Sequence, residues 1–487
     1  QALFNLLLPD HAADAFSPPR GPELSCWDAL LERLLGGLSR WDAEHLLFIA
    51  ERGYLYEHNC AFLPLYPLSL RALAQGPLRP LAPWLRPRSR LLLSAALLNW
   101  LLAALAAAAL YRLGLAVLGC RRLPFLAALL FSVSPAGVFL AAAYSESMFS
   151  CLAFSAMWLL EKGQSWLSGL LFALATGARA NGLVNAGFFL YSGARRLALL
   201  LQEGSGAARG VWRQLLGLMA SAALPCAGVA LPFAVFQYYA YMRFCGSGWG
   251  PEQPVPSSLL QLALDKGYRV AAMDEVKPPW CSQPFPLVYT YVQDSYWNVG
   301  FLRYFELKQI PNFLLALPVT LLSSWAAWTY VVADPRHCLT LGLERRKSEE
   351  ESKPRAGFCC PAAFVYVVHA TVLLVFGFLC MHVQVLTRFL GSSSPVLYWF
   401  SAHLLQEHEP LLRTEGIDNE TTASPFKEET PGGESAAPCG KGTCANPVWM
   451  LLRNWRLITP LSKCVLGFFL SYWLLGLILH CNFLPWT

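Results

Sequence analysis

Apolar runs long enough to cross a bilayer recur along this chain, separated by short hydrophilic connectors. A span needs about 20 apolar residues. Runs of that kind cover 91–118, 123–142, 215–239, 311–332 and 362–381, with a shorter closing run at 465–480. A less apolar run, 389–405, predicts a further span despite its Gly391-Ser392-Ser393-Ser394-Pro395. The stretch 166–191 is also apolar, but Gly177-Ala178-Arg179-Ala180-Asn181-Gly182 interrupts it. An Arg in mid-membrane is costly, so a pair of short helices broken at 179–182 is predicted rather than one long helix. Residues 1–8, ending at Pro9-Asp10, read as the tail of a first spanning helix or of a cleaved signal peptide; the chain opens on Gln1, which predicts a missing N-terminus.

The connectors carry an orientation. Basic residues collect at Cys120-Arg121-Arg122, at Arg195, Arg196, Arg209 and Arg213, and at Arg336, Arg345, Arg346, Lys347 and Arg355. Short basic connectors stay on the cytosolic side. Two long loops, 9–90 and 241–309, are thereby predicted to be luminal. The expected class is an all-α polytopic membrane protein with about 10–11 transmembrane helices and these two large luminal loops. Its parts are a membrane module over 1–406, a Glu/Thr/Ser/Pro/Gly-rich segment over 407–460, and a last span with its tail over 461–487. The middle part is predicted to be disordered and cytosolic, which would leave the sequon at Asn419 silent.

Composition agrees with that pattern. Of the residues, 55% are hydrophobic and 14% charged, with a mean hydropathy of +0.40. Soluble chains carry about 25% charge. The net charge of +6 is spread over connectors, so it does not point to nucleic acid. The 15 Cys show no zinc-like spacing, and no Gly-rich phosphate loop, H-E-x-x-H or D-x-D appears. No cofactor and no metal are expected.

Candidate chemistry concentrates in the first luminal loop, at Ser39-Arg40-Trp41-Asp42-Ala43-Glu44-His45 and again at Phe62-Leu63-Pro64-Leu65-Tyr66-Pro67. Ser39 reads as the N-cap of an amphipathic helix over 41–52, with Asp42 and His45 on one face. Asp42 then has two readings: a general base beside Trp41, or the acid of a capping box that starts at Ser39. Glu146, at Ala143-Tyr144-Ser145-Glu146, is either a functional acid between spans or a solvated turn. Around Trp297 and Asn298, aromatics mixed with Asp294 and Arg303 suit a sugar as well as an interfacial anchor. Arg388, with His382 and Gln384 just past a span, suits a lipid phosphate; its alternative is a side chain snorkelling to the headgroups.

Taken together, Leu38-Ser39-Arg40-Trp41-Asp42-Ala43-Glu44-His45, Phe139-Leu140-Ala141-Ala142-Ala143-Tyr144-Ser145-Glu146, Tyr296-Trp297-Asn298-Val299-Gly300-Phe301 and Cys380-Met381-His382-Val383-Gln384-Val385-Leu386-Thr387-Arg388 resemble the PIG-V type of glycosylphosphatidylinositol (GPI) mannosyltransferases, a vertebrate-like member in particular. Segments 236–241 and 308–316 extend the resemblance along the chain. It implies a GT-C type glycosyltransferase of the endoplasmic-reticulum membrane with a luminal active site. The donor would be dolichyl-phosphate mannose and the acceptor a mannosyl-glucosaminyl acylphosphatidylinositol, joined by an α1,6 bond with inversion. The implied catalytic group is Asp42, with Trp41, Glu44 and His45 about it. Arg388, His382, Gln384 and Arg179 would serve the donor phosphate, and Tyr144, Glu146, Trp297, Asn298 and Tyr66 the substrate. A cationic clamp would suffice for a phosphate leaving group. The resemblance leaves room for a small accessory membrane subunit. Another dolichyl-phosphate-sugar transferase, or a lipid-linked sugar transporter or flippase, is the alternative.

Overall fold

A computed structural model describes residues 11, 15–19, 25–202, 208–246, 254–271, 277–343, 356–414 and 446–484, with backbone alone over 208–216 and 413–414. The stub 1–10 and most of the polar segment, 415–445, lie outside the described residues, so the readings made of them do too. Among the described residues all regular elements are helical, and β-pairing is limited to an isolated bridge between Tyr56 and Val270.

The helices that frame the site are α1 (Asp42–Arg52), α2 (Pro87–Leu118), α3 (Arg122–Ser132), α4 (Gly137–Ala141), α5 (Glu146–Glu161), α6 (Ser165–Ala178), α7 (Ala186–Gln202), α8 (Ala208–Phe244), α9 (Ile310–Ala333), α10 (Phe364–Cys380), α11 (Leu386–Ser393), α12 (Val396–His408) and α13 (Pro460–Cys481). Five helical stretches are long and apolar enough to cross a membrane: α2, 217–244 within α8, 307–333 ending in α9, 361–380 ending in α10, and α13. The remaining apolar runs fold as shorter helices.

Two of those runs break at Ser-Pro steps that face each other. The run expected over 123–142 splits into α3 and α4 around Ser134-Pro135, and that over 389–405 into α11 and α12 around Ser394-Pro395. Proline has no N–H to continue a helix, and a broken backbone inside a membrane must find partners within the protein. Here Ser134 Oγ accepts from the Ala136 N–H at 3.2 Å and Ser394 Oγ from the Val396 N–H at 3.3 Å. The Tyr398 hydroxyl donates to the Gly391 carbonyl at 2.7 Å and takes the Ser134 hydroxyl at 2.8 Å, so one side chain joins both breaks.

The pair of short helices read from 166–191 is present: α6 ends at Ala178, a 3₁₀ turn covers Ala180–Asn185, and α7 leads away. Gly182 sits where a Cβ would lie 2.5 Å from the Thr176 backbone, so only glycine fits the reversal.

Helix ends sort onto two faces. One gathers the start of α1, the start of α5, the end of α6, the start of α11 and the end of α13. Arg388 reaches Asp42 there, Arg179 reaches Glu146, and His11 N–H donates to the Asn482 carbonyl. The other face gathers the ends of α2, α5 and α12. There the Leu118 carbonyl accepts from Gly357 N–H, Tyr366 OH donates to Glu161, and Glu409 accepts from Thr459 N–H and hydroxyl. The described flanks of the polar segment, Glu409 and Thr459, therefore lie on the face away from Asp42. Disulfide Cys245–Cys281 ties the end of α8 to the second long loop.

Candidate active site

Asp42 opens α1, but Ser39 does not cap it. Ser39 belongs to the 3₁₀ turn Gly36–Ser39, and its hydroxyl donates back to the Gly36 carbonyl at 2.8 Å. The N-cap is Trp41, at φ +58° and ψ −129°, without a side-chain cap bond. Such a backbone costs about 1–3 kcal/mol in a non-glycine residue and persists only where its surroundings enforce it. Here the Tyr144 hydroxyl accepts from the Asp42 N–H at 3.1 Å. The capping-box reading of Asp42 is thereby overturned, because the box needs Ser39 at the N-cap. Freed from the helix end, the Asp42 side chain turns into a cleft.

That cleft has a volume of about 440 Å³. Its lining joins residues from both long loops and the membrane helices: Asp42, His45 and Phe62, Arg179 and Asn181, Trp297, and His382, Gln384 and Arg388. Arg388 Nη2 lies 2.8 Å from Asp42 Oδ2, and its Nη1 lies 3.7 Å from Glu146 Oε1. The guanidinium also lies 5.1 Å from the Phe139 ring and 5.4 Å from that of Tyr144, which screen it from below. Arg179 Nη1 approaches the same Glu146 oxygen at 2.5 Å. The snorkelling alternative for Arg388 fails on this geometry, since the side chain turns inward to two carboxylates and is 14% exposed.

The electrostatics follow. Burial pushes the Asp42 carboxyl up, but the charge and hydrogen bond of the Arg388 guanidinium lead the opposing pull and hold the group below its usual range. Burial also lowers His45, against an opposing pull from Asn59 and Asp42, so the imidazole is neutral at pH 7. Its ring lies between Phe16 at 4.3 Å and Phe62 at 5.1 Å, with Nδ1 3.1 Å from Asn59 Oδ1. His382 stacks on Tyr304, and its Nε2 lies 2.8 Å from the Trp297 carbonyl. A carbonyl can only accept, so Nε2 carries the proton.

Some residues read from the sequence fall elsewhere. Glu44 is buried and takes Arg88 at 2.5 Å. Tyr66 is fully buried and its hydroxyl accepts from Asn99. Asn298, at φ +51°, directs its amide oxygen toward Arg303. None of these three lines the cleft. Tyr144 and Glu146 lie beneath it, reaching it through Asp42, Arg179 and Arg388. Conversely, Tyr289, Gln293 and Asn181 line the cleft without having been singled out as site residues. Asn181 was visible as a polar residue inside an apolar break; Gln293 carried no such signal. Among the described residues, no group of three His, Cys, Asp or Glu side chains is placed to hold a metal ion.

An acid at the rim of a cleft, beside two guanidiniums and several rings, is a constellation suited to a sugar and an anionic leaving group. No solved structure matches. Among curated relatives, "GPI alpha-1,6-mannosyltransferase 2" of Mus musculus is 57% identical over 488 residues, covering 100% of this chain and 95% of its own. The Homo sapiens protein of the same name is 55% identical with the same coverage. "GPI mannosyltransferase 2" of Drosophila melanogaster is 32% identical over 412 residues, or 82% of this chain and 87% of its own. The family model described as Mannosyltransferase (PIG-V) matches residues 1–487, and with identity at this level along its whole length the chain belongs to the PIG-V mannosyltransferase family.

Proposed function

We propose that this protein is the α-1,6-mannosyltransferase that transfers the second mannose of the GPI precursor from dolichyl-phosphate mannose. The observation that carries this reading is the Asp42 carboxylate, facing the cleft at 37% exposure with Arg388 and Arg179 at its side. Full-length identity to relatives bearing that activity in their names supports the acceptor and the linkage.

The donor sugar is β-linked to phosphate and the new bond is α, so one in-line displacement inverts the anomeric carbon. The acceptor hydroxyl attacks that carbon as Asp42 takes its proton, and the bond to the phosphate oxygen breaks. The products are the α-mannoside, dolichyl phosphate and a protonated Asp42, which then returns the proton to solvent. A low carboxyl pKa makes a weak base, so Arg388 must loosen from Asp42 when the transfer occurs. The leaving phosphate supplies the competing anion: Arg388 offers it a planar fork of N–H donors, with Arg179 close by. Phe62 and Trp297 supply ring surface for the sugar, and His45 backs Phe62 from behind.

The cleft face corresponds to the endoplasmic-reticulum lumen. Cys245–Cys281 supports this, because disulfides persist in oxidising compartments, and the described basic residues Arg121, Arg122 and Arg336 lie at the opposite helix ends. The test is complementation of cells lacking the enzyme. Wild type restores surface GPI-anchored proteins, whereas Asp42→Asn is expected to reach normal protein levels, restore none and leave the one-mannose intermediate to accumulate. Normal anchor synthesis from Asp42→Asn would remove Asp42 as the base.

A further inference from the structure

Glu146 is the acid the transfer itself does not use. It is fully buried at the start of α5, and its N-cap Ser145 makes no side-chain cap bond. Neither carboxylate oxygen makes a hydrogen bond of good geometry; the partners nearest to it are the guanidiniums of Arg179 at 2.5 Å and Arg388 at 3.7 Å. It does not line the cleft, so it does not touch a sugar there. Arg179 and Arg388 do line the cleft, and the Nε of each is buried without a hydrogen-bond partner among the described residues. Both arginines thus hold donors in reserve.

The charges sharpen this. Asp42 and Glu146 together balance Arg179 and Arg388. Were Glu146 uncharged, both guanidiniums would share one carboxylate, Asp42, and bind it harder. A burial-disfavoured carboxylate is a poor investment in stability, since apolar replacement of buried ion pairs is often neutral or stabilising. Its place between two guanidiniums calls for another account.

We propose that Glu146 is a positioning residue for the transfer: it anchors Arg179 and Arg388 from beneath, so that a phosphodiester anion in the cleft draws Arg388 off Asp42 and frees the base. This rests on the reading of Asp42 as base and of the donor as a lipid-linked sugar phosphate. Two consequences follow. The donor binds before the acceptor is activated, because Asp42 is masked until an anion arrives. Removing the Glu146 charge strengthens anion binding while weakening the base, so donor affinity and turnover move in opposite directions.

The experiment uses the purified full-length enzyme in detergent micelles, with dolichyl phosphate as the binding probe and product inhibitor. Glu146→Gln is expected to lower kcat about tenfold or more, a share of the 10²–10⁴-fold that a general base contributes. At the same time the donor KM and the dolichyl phosphate Ki should fall several-fold, and the acceptor KM should stay within about twofold, by the logic that separates ground-state from transition-state effects. Glu146→Asp, which keeps the charge, should hold kcat within about threefold of wild type. A Ki for dolichyl phosphate that rises in Glu146→Gln would overturn the proposal, as would a raised acceptor KM, which marks a direct substrate contact. An equal loss in Glu146→Asp and Glu146→Gln would overturn it too, because shape and not charge would then matter. If Glu146→Gln does not accumulate, the charge-balanced Glu146→Gln/Arg179→Gln pair replaces it. Restored accumulation with kcat below that of Arg179→Gln alone supports the proposal, and a kcat equal to that single variant's overturns it. Asp42→Asn keeps the two ideas separable: activity in that variant sinks the base, whereas a raised Ki in Glu146→Gln beside an inactive Asp42→Asn sinks only the role of Glu146.

Discussion

The two sides of the first turn of α1 carry one acid each, two residues apart, and the fold treats them differently. Asp42 faces the cleft and meets Arg388, 346 residues further along the chain. Glu44 faces the scaffold and meets Arg88, at the start of α2. Both lie in the positive end of the same helix dipole, so the dipole cannot tell them apart. The partner does. Arg88 fastens α1 to a membrane helix, and neither it nor Glu44 lines the cleft. Arg388 is shared with Glu146 and lies at the cleft wall, where an arriving anion can compete for it. An acid at a helix start is thus read as scaffold or chemistry by asking what else its cation could bind.

Arg388→Gln breaks the cleft side most deeply after Asp42→Asn itself. Losing a donor aimed at developing charge costs about 10²–10³-fold in kcat, and kcat/KM should fall by at least that. The variant also moves the pH profile. With the guanidinium present, Asp42 sits below the ordinary value of about 3.9, so it stays charged until pH falls through that lowered pKa. Without Arg388 the carboxyl rises, and the acid limb of kcat/KM, which reports the free enzyme, should shift to higher pH. An unmoved limb in Arg388→Gln would detach Asp42 from this pair.

Glu44→Gln sharpens the other side. A buried pair that loses one partner costs about 3–5 kcal/mol when fully enclosed, and less here because Arg88 is 21% exposed. The expected result is a lower melting temperature in detergent with kcat/KM of the folded enzyme within about threefold of wild type. A large loss of kcat without a loss of stability would move Glu44 into the chemistry. The smallest effect belongs to His45. Its pKa lies below the ordinary value, so kcat/KM should show no His45-dependent rise above pH 7; an inflection between about pH 7 and 8 that vanishes in His45→Gln would show that this ring titrates during turnover.

Much of the fold was legible because membrane spans announce themselves by length and polarity. The Arg179 break followed from the cost of charge in lipid, and the sorting of Arg121 and Arg195 away from Asp42 from the preference of short basic connectors for one side. The breaks at Ser134 and Ser394 were not read, although both precede proline; the surrounding apolar runs outweighed the signal. Asp42, Arg388, His382, Gln384, Arg179 and Trp297, named from the sequence as candidates, come together in the lining of one cleft, while their proposed roles rest on the resemblance. What they bind to one another was hidden, since the Arg388–Asp42 pair closes over most of the chain. The N-cap at Ser39 was a reasonable reading by preference alone. It failed because tertiary contact holds Trp41 at a positive φ that no propensity favours.

The end of α13 has a consequence for genetics and for tagging. Beyond that helix, Phe483 packs its ring 5.8 Å from Trp41 and 4.5 Å from the Arg40 guanidinium, propping the strained residue that aims Asp42. A stop codon just after His480 would delete none of the cleft-lining residues named above, yet it would remove that prop. Such an allele should behave as a catalytic one, with protein present and anchors scarce. An affinity tag inserted directly after Phe483 carries the same hazard.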